Sequence, residues 1–202
     1  ENMDQLLMKW NKGEIPNFKL PEGYELVQYR RGGTERLSEE EFRKEWIGIR
    51  LSDGNLEQTE KWFHTVYDDP DVPEDGFFVI LYDGKIVSNA QIQLGNHEPG
   101  TATLHAVCTD PAHRGKGLGK IITGAVMKNA LDRGLSTVYL TTDDFRIPAI
   151  RAYLKMEFLP VIFSEDQHTR WKKIFEELQI KEHAVFQEDG KIAVLKAENI
   201  SM

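Results

Sequence analysis

One continuous stretch constrains this chain more than any other. Thr103-Leu-His-Ala-Val-Cys-Thr109 reads as a strand, and Asp110-Pro-Ala-His-Arg-Gly-Lys-Gly-Leu-Gly-Lys120 as a turn dense in glycine and positive charge. Ile121 to Leu131 then reads as a helix. That order aims unpaired backbone N–H groups and the positive end of a helix dipole at one small volume. Arg114, Lys116 and Lys120 add side-chain charge there. Such a volume suits a phosphate or a diphosphate.

Two phosphate-binding patterns fail on spacing. A mononucleotide loop with Gly119-Lys120 at its end would need glycine at 114, where Arg stands, and Ser or Thr at 121, where Ile stands. The dinucleotide fingerprint needs Gly-x-Gly-x-x-Gly, whereas Gly115-x-Gly117-x-Gly119 is one residue short. A nicotinamide cofactor is not expected.

The chain has 202 residues, enough for one domain with a real core, or for one domain with an appendage. Its net charge of −8 leaves no surplus of Lys and Arg to neutralise a nucleic-acid backbone, so no nucleic-acid partner is expected. Cys108 is alone, which excludes a disulfide framework and a thiolate metal cluster within the chain. No apolar stretch reaches membrane-spanning length and the first residues lack a signal-peptide pattern. No membrane association and a cytoplasmic location are the expectation.

Residues 1–20 read as a loosely packed N-terminal arm, 21–165 as the main domain, and 166–202 as a C-terminal helix and hairpin packed on that domain. Tyr24–Tyr29 predicts a strand. Ser38-Glu-Glu-Glu41 matches a capping box opening a helix to about Gly48, and a second helix covers roughly Leu56 to Val66. Asp83-Gly84 between two apolar runs predicts a hairpin. Gly134 closes the helix after the phosphate loop. Another strand spans Ser136–Thr141, and Pro148 opens a helix to about Met156. A strand at Phe158–Phe163, a helix at about His168–Leu178 and a hairpin at Asp189-Gly190 complete the chain. The class is α/β: a mixed, mostly antiparallel central sheet flanked by helices.

Arg114-Gly-Lys-Gly-Leu-Gly119 after Asp-Pro resembles the pyrophosphate segment of the GCN5-related N-acetyltransferase (GNAT) family. Downstream, Ala149-Ile-Arg-Ala-Tyr153-Leu-Lys-Met-Glu-Phe158 is similar to the same family's Ala-x-x-x-Tyr-x-x-x-Gly-Phe helix. The resemblance is close over residues 76–163. It departs at Glu157, where the family usually has glycine, and at Arg146, where it often has asparagine.

The resemblance implies a GNAT fold with splayed central strands and acetyl-CoA as cofactor. Arg114, Gly115, Lys116, Gly117, Leu118, Gly119 and Lys120 would take its pyrophosphate. The backbone of Val107, Cys108 and Thr109 would line the pantetheine arm, and an N–H there would hold the developing oxyanion, a contribution of ~3 kcal/mol. Tyr153 would be the general acid. The implied reaction is acetyl transfer to a primary amine of a small molecule, peptide or protein by direct attack. A catalytically silent acyl-CoA-binding regulatory module is the alternative, and a homodimer is allowed for.

The base is left open. His105, alternating with Val107 and Thr109, ranks first, and Asp143 or Asp144 could act through water but more often would cap a helix. His97 and Glu98 rank below them. By the resemblance, acceptor contacts would fall on residues 34–75 and 95–100, where Glu39, Glu40, Glu41, Asp68, Asp69 and Asp71 would attract a cation or keep the chain soluble. Cys108 is read as a small packing residue, Lys128 and Arg133 as a solvated face, and Trp171, Ile174, Phe175 and Leu178 as a packing stripe.

Overall fold

A computed structural model describes residues 4–11, 13–52 and 54–197. In chain order its strands and helices are β1 (Leu6–Asn11), β2 (Tyr24–Tyr29), α1 (Glu39–Gly48), α2 (Leu56–Tyr67), β3 (Phe77–Tyr82) and β4 (Lys85–Leu94). They continue with β5 (Ala102–Thr109), α3 (Leu118–Asp132), β6 (Thr137–Thr142), α4 (Ile147–Lys155) and β7 (Leu159–Ile162). The last are α5 (Glu165–Leu178), β8 (Glu182–Gln187) and β9 (Ile192–Lys196). Two compact units divide them, residues 14–138 and residues 1–13 with 139–202. The extreme ends of the N-terminal arm and of the C-terminal segment lie outside the described residues.

In the unit of residues 14–138, β2, β3, β4 and β5 pair antiparallel in that order. The Asp83-Gly84 hairpin forms as expected, with both residues at positive φ. β3 is buried from Phe77 to Leu81 because both of its faces are covered, and only Tyr82 at its end is exposed. Phe77, Val79 and Leu81 join Phe42, Trp46, Phe63 and Tyr67 of the two helices in one core, where Tyr29 stacks on Phe42 at 4.0 Å. Phe78 and Ile80 alternate to the other side, and α3 packs on β3, β4 and β5. Ser38 and Glu41 satisfy each other's amides in the expected capping box. The acidic first turn of α1, Glu39 to Glu41, therefore suits its own helix end.

In the other unit the strand order is β6, β1, β7, β8, β9. β1 pairs antiparallel with β7, β7 parallel with β8, and β8 antiparallel with β9 around the expected Asp189-Gly190 turn. The mixed, mostly antiparallel character follows from these pairings. β1 corrects the expectation of a loose arm. Leu6, Met8 and Trp10 are all fully buried, one face of a strand whose partner lies some 150 positions away. Helix α5 begins three residues earlier than expected, because the Ser164 side chain accepts from the Gln167 amide. Trp171, Ile174, Phe175 and Leu178 are buried, in keeping with a packing stripe.

Arg133 departs from the solvated face assigned to it. Its Nε donates to Asn129 at 2.8 Å and its Nη2 to Asp75 at 2.5 Å, tying the end of α3 to the loop before β3. Lys128 stays exposed, bridging to Asp132 one turn on.

Candidate active site

The phosphate-loop reading rests on local geometry. Past β5 the Asp110 carboxylate accepts from the Ala112 amide at 2.8 Å, bending the chain into a 3-10 turn at Pro111–His113. Tyr24 of β2 braces that turn, its Oη 2.7 Å from Nδ1 of His113, and Arg114 Nε donates back to the Thr109 carbonyl at 3.2 Å. Gly115 and Gly117 then take φ of 77° and 78°, which L side chains rarely adopt. Gly117 is the N-cap of α3 and has no side chain to offer, so the helix starts uncapped. Among the described residues, the amides of Gly115, Lys116, Gly117, Leu118 and Gly119 have no protein acceptor.

Gly119 is in keeping with the same reading. It has no positive φ, and a Cβ built there meets no atom within 4 Å. Neither backbone conformation nor protein packing demands glycine at 119. Free amides, a helix dipole, and Arg114, Lys116 and Lys120 in the same run fit a diphosphate approaching the backbone closely. Arg114 and Lys116 are exposed, and Lys120 is half-buried with Nζ 5.6 Å from the Phe18 ring.

The second half of β5, His105 to Thr109, is only half-buried. Its register against β4 is broken. Gln91 opposes His105 and Asn89 opposes Cys108, so Ala106 and Val107 together face Ala90. Ala106 at the bulge has φ 53°. This corrects the expected alternation. The inserted residue puts His105 on the face of Cys108, with Asn89 and Gln91, and Thr109 on the other face with Ser88. Ser88 Oγ donates to the Cys108 carbonyl at 3.0 Å and lies 2.9 Å from Thr109 Oγ1. Cys108 packs against the α1–α2 core with Sγ 3.8 Å from the Ile49 carbonyl, a packing environment.

His105 is held more tightly than a free base would be. Gln91 Nε2 faces the Val66 carbonyl at 3.3 Å, which can only accept, and the same NH2 lies 3.3 Å from His105 Nδ1. Nδ1 is therefore the acceptor, and in the neutral ring the proton sits on Nε2. Burial holds the imidazole pKa below its ordinary value; Asp69 opposes that shift and Arg50 reinforces it. The exposed Trp62 of α2 meets the ring edge-to-face at 5.5 Å. Burial likewise lowers His97, against the pull of Glu98.

In the other unit, α4 starts at an N-cap, Arg146, with no side-chain cap bond, so neither Asp143 nor Asp144 is the helix cap expected. Asp143 instead accepts from Gln5 Nε2 and Arg146 Nε, each at 3.0 Å. Arg170 grips Asp144 and holds its carboxyl below the usual range, which makes it a poor base. Tyr153 on α4 is half-buried, and desolvation pushes its phenol up to about 12, with Arg146 pulling the other way. Glu157 resolves its departure from glycine by strain: it stands at φ 64°. Around it the Phe158 amide donates to the Tyr153 carbonyl and the Glu157 amide to Leu154, both at 3.1 Å, while the Phe158 and Tyr153 rings meet edge-on at 5.9 Å.

Sequence reasoning did not single out Arg50, Asn89, Gln91 or Arg170. Only the Ser164 N-cap, at the start of the helix that carries Arg170, was open to a local signal.

The model of the acetyltransferase (GNAT) family matches residues 37–158. A mycothiol acetyltransferase of Thermomonospora curvata is 27% identical over 150 residues, covering 71% of this chain and 47% of that protein. The uncharacterized N-acetyltransferase YjgM of Escherichia coli is 30% identical over 112 residues, 55% of this chain and 63% of that protein. The chain thus spans about half the length of the mycothiol acetyltransferases that it matches over most of its own length. Among solved structures, a GCN5-related N-acetyltransferase from Sphaerobacter thermophilus superposes with a TM-score of 0.57 at 17% identity, over 77% of this chain and 47% of that one. A tandem GNAT protein from the clavulanic acid biosynthesis pathway gives 0.58 at 15% identity, over 77% and 49%. These two likenesses concern the fold.

Proposed function

The chain belongs to the GNAT acetyltransferases, and on that premise we propose that it moves an acetyl group from acetyl-CoA to a primary amine of a small molecule, peptide or protein by direct attack. One observation carries the reading: five acceptorless amides at the uncapped start of α3, with a glycine among them that the protein itself does not require. When bound, acetyl-CoA supplies a thioester carbonyl activated toward amines.

The amides of Gly115 to Gly119, with Arg114, Lys116 and Lys120, would hold the diphosphate. The half-buried backbone of Val107, Cys108 and Thr109 would orient the thioester arm and meet its oxyanion. Tyr153 would give its proton to the departing thiolate, and a phenol pushed up to about 12 stays protonated throughout the neutral range. His105 can accept a proton at Nδ1 only by giving up Gln91. We therefore assign it an orienting role toward the acceptor through Nε2–H, with the amine entering in its neutral form.

Calorimetric titration with coenzyme A and thiol release from acetyl-CoA over an amine panel test the reading together. Saturable binding with turnover on some amine supports it. Binding with no turnover on any amine would assign a silent acyl-CoA-binding module instead, and no binding would remove both. If the amine enters neutral, the acid limb of kcat/KM should follow each acceptor's own pKa across the panel.

A further inference from the structure

The bulge in β5 is held from outside its own sheet. Arg50, nearly buried just past α1, lays its guanidinium on the Trp46 ring at 3.4 Å and donates from Nη1 to the Trp46 carbonyl at 3.1 Å. The same Nη1 reaches Asn89 Oδ1 at 2.6 Å, and Nη2 reaches the Ala106 carbonyl at 2.6 Å. Asn89 Nδ2 closes the triangle, donating to the same carbonyl at 3.0 Å. The assignment of the Asn89 amide is forced, since a guanidinium only donates and a carbonyl only accepts. The Ala106 carbonyl, turned out of the ladder by φ 53°, thus receives two donors.

A left-handed alanine costs roughly 1–2 kcal/mol by itself, so the bulge needs external support to persist. Without it the ladder would regain plain pairing by slipping one residue, which would turn every side chain after Ala106 to the other face. The positions so displaced are Val107, Cys108 and Thr109, the backbone assigned above to the thioester arm. We propose that Arg50 is a positioning residue: its fork, seated on Trp46 and coupled to Asn89, locks the Ala106 bulge and thereby fixes the register of Val107–Thr109. This rests on the acetyltransfer reading for its catalytic consequence. Its structural consequence stands apart from it.

The test pairs Arg50→Lys, Arg50→Ala and Asn89→Ala, measured for coenzyme A affinity, steady-state kinetics and amide hydrogen exchange. Lysine keeps the charge but loses the planar fork. In each folded variant, exchange should quicken at Val107, Cys108 and Thr109 while the amides of β3 hold. Coenzyme A affinity should stay within about twofold while kcat falls roughly a hundredfold, as expected of a reacting group displaced by about 1 Å. Should Arg50→Ala fail to fold, Arg50→Lys and Asn89→Ala carry the same readouts. Unchanged exchange at the bulge in Asn89→Ala and Arg50→Lys would overturn the clamp. So would kcat and affinity falling in parallel, which marks general destabilisation. If the wild-type chain binds coenzyme A without turning over any amine, the acetyltransfer reading falls and the exchange data alone decide the clamp.

Discussion

Arg170 forks onto the Asp144 carboxylate, with Nη2 at 2.5 Å from Oδ1 and Nε at 2.9 Å from Oδ2, joining α5 to the turn that leads into α4. Arg170 also reaches Asp166 Oδ2 at 3.1 Å and the Asp4 carbonyl at 2.7 Å, so one nearly buried cation organises three segments of its unit. Because 40% of the Asp144 side chain meets water, screening limits the cost of Asp144→Asn to about 1–2 kcal/mol at neutral pH. The folded-state pKa of Asp144 is depressed, so this stability is complete above the unfolded value of about 4 and is lost as pH falls through the lower folded one. Urea titrations should show wild type and variant converging in acid. A gap that persists there would refute the assignment.

Glu157→Gly should stabilise the chain. A non-glycine residue at φ 64° carries roughly 1–2 kcal/mol of strain, of which glycine's greater unfolded-state entropy returns about half. A gain of about 1 kcal/mol in chemical denaturation is expected. A loss would show that the Glu157 side chain makes a contact worth more than its strain.

Gly117 and Gly119 should behave differently when replaced by alanine. Gly117→Ala forces φ 78° on a side chain and should destabilise the start of α3. Gly119→Ala enters open space with no positive φ, so the fold should hold or gain up to about 1 kcal/mol in helix propensity. Coenzyme A affinity should nonetheless fall roughly tenfold in that variant, about 1.4 kcal/mol. Equal affinity in Gly119→Ala and wild type would remove the close backbone approach.

Tyr153→Phe should lower kcat roughly a hundredfold with coenzyme A affinity intact. With the phenol pushed up to about 12, its ionisation should contribute no alkaline limb to kcat below pH ~11. A limb near pH 9 that disappears in Tyr153→Phe would contradict both the shift and the role.

Gln91→Leu should release His105 Nδ1. Burial keeps the wild-type ring below 6.5, with Asp69 and Arg50 as the nearby charges. The unfolded chain therefore takes up the proton first, and stability drains as pH falls below about 6.5. NMR titration should find the His105 midpoint below 6.5 in wild type and higher in Gln91→Leu. An unchanged midpoint would show that Gln91 does not hold the lone pair.

What could be read from the chain alone was what neighbouring residues decide together. Glycines at 115 and 117 permit a bend, the following run continues as a helix, and the amides left over at that junction are a consequence of backbone geometry within a few positions. The Ser38–Glu41 cap and the Asp83-Gly84 hairpin were legible for the same reason, since each closes its hydrogen bonds within its own turn. Tertiary structure decided everything that depends on a distant partner. Leu6, Met8 and Trp10 show only a short alternation until Leu159 and Pro160 pair with their strand. Ala106 carries no mark of positive φ, because what holds it there is Arg50, 56 positions earlier. His105 changed face for that reason, and Asp144 ceased to be a free carboxylate because Arg170 folds back onto it. Local propensity is written in adjacent residues, whereas register, tautomer and charge state are set by whichever groups the finished fold presses together.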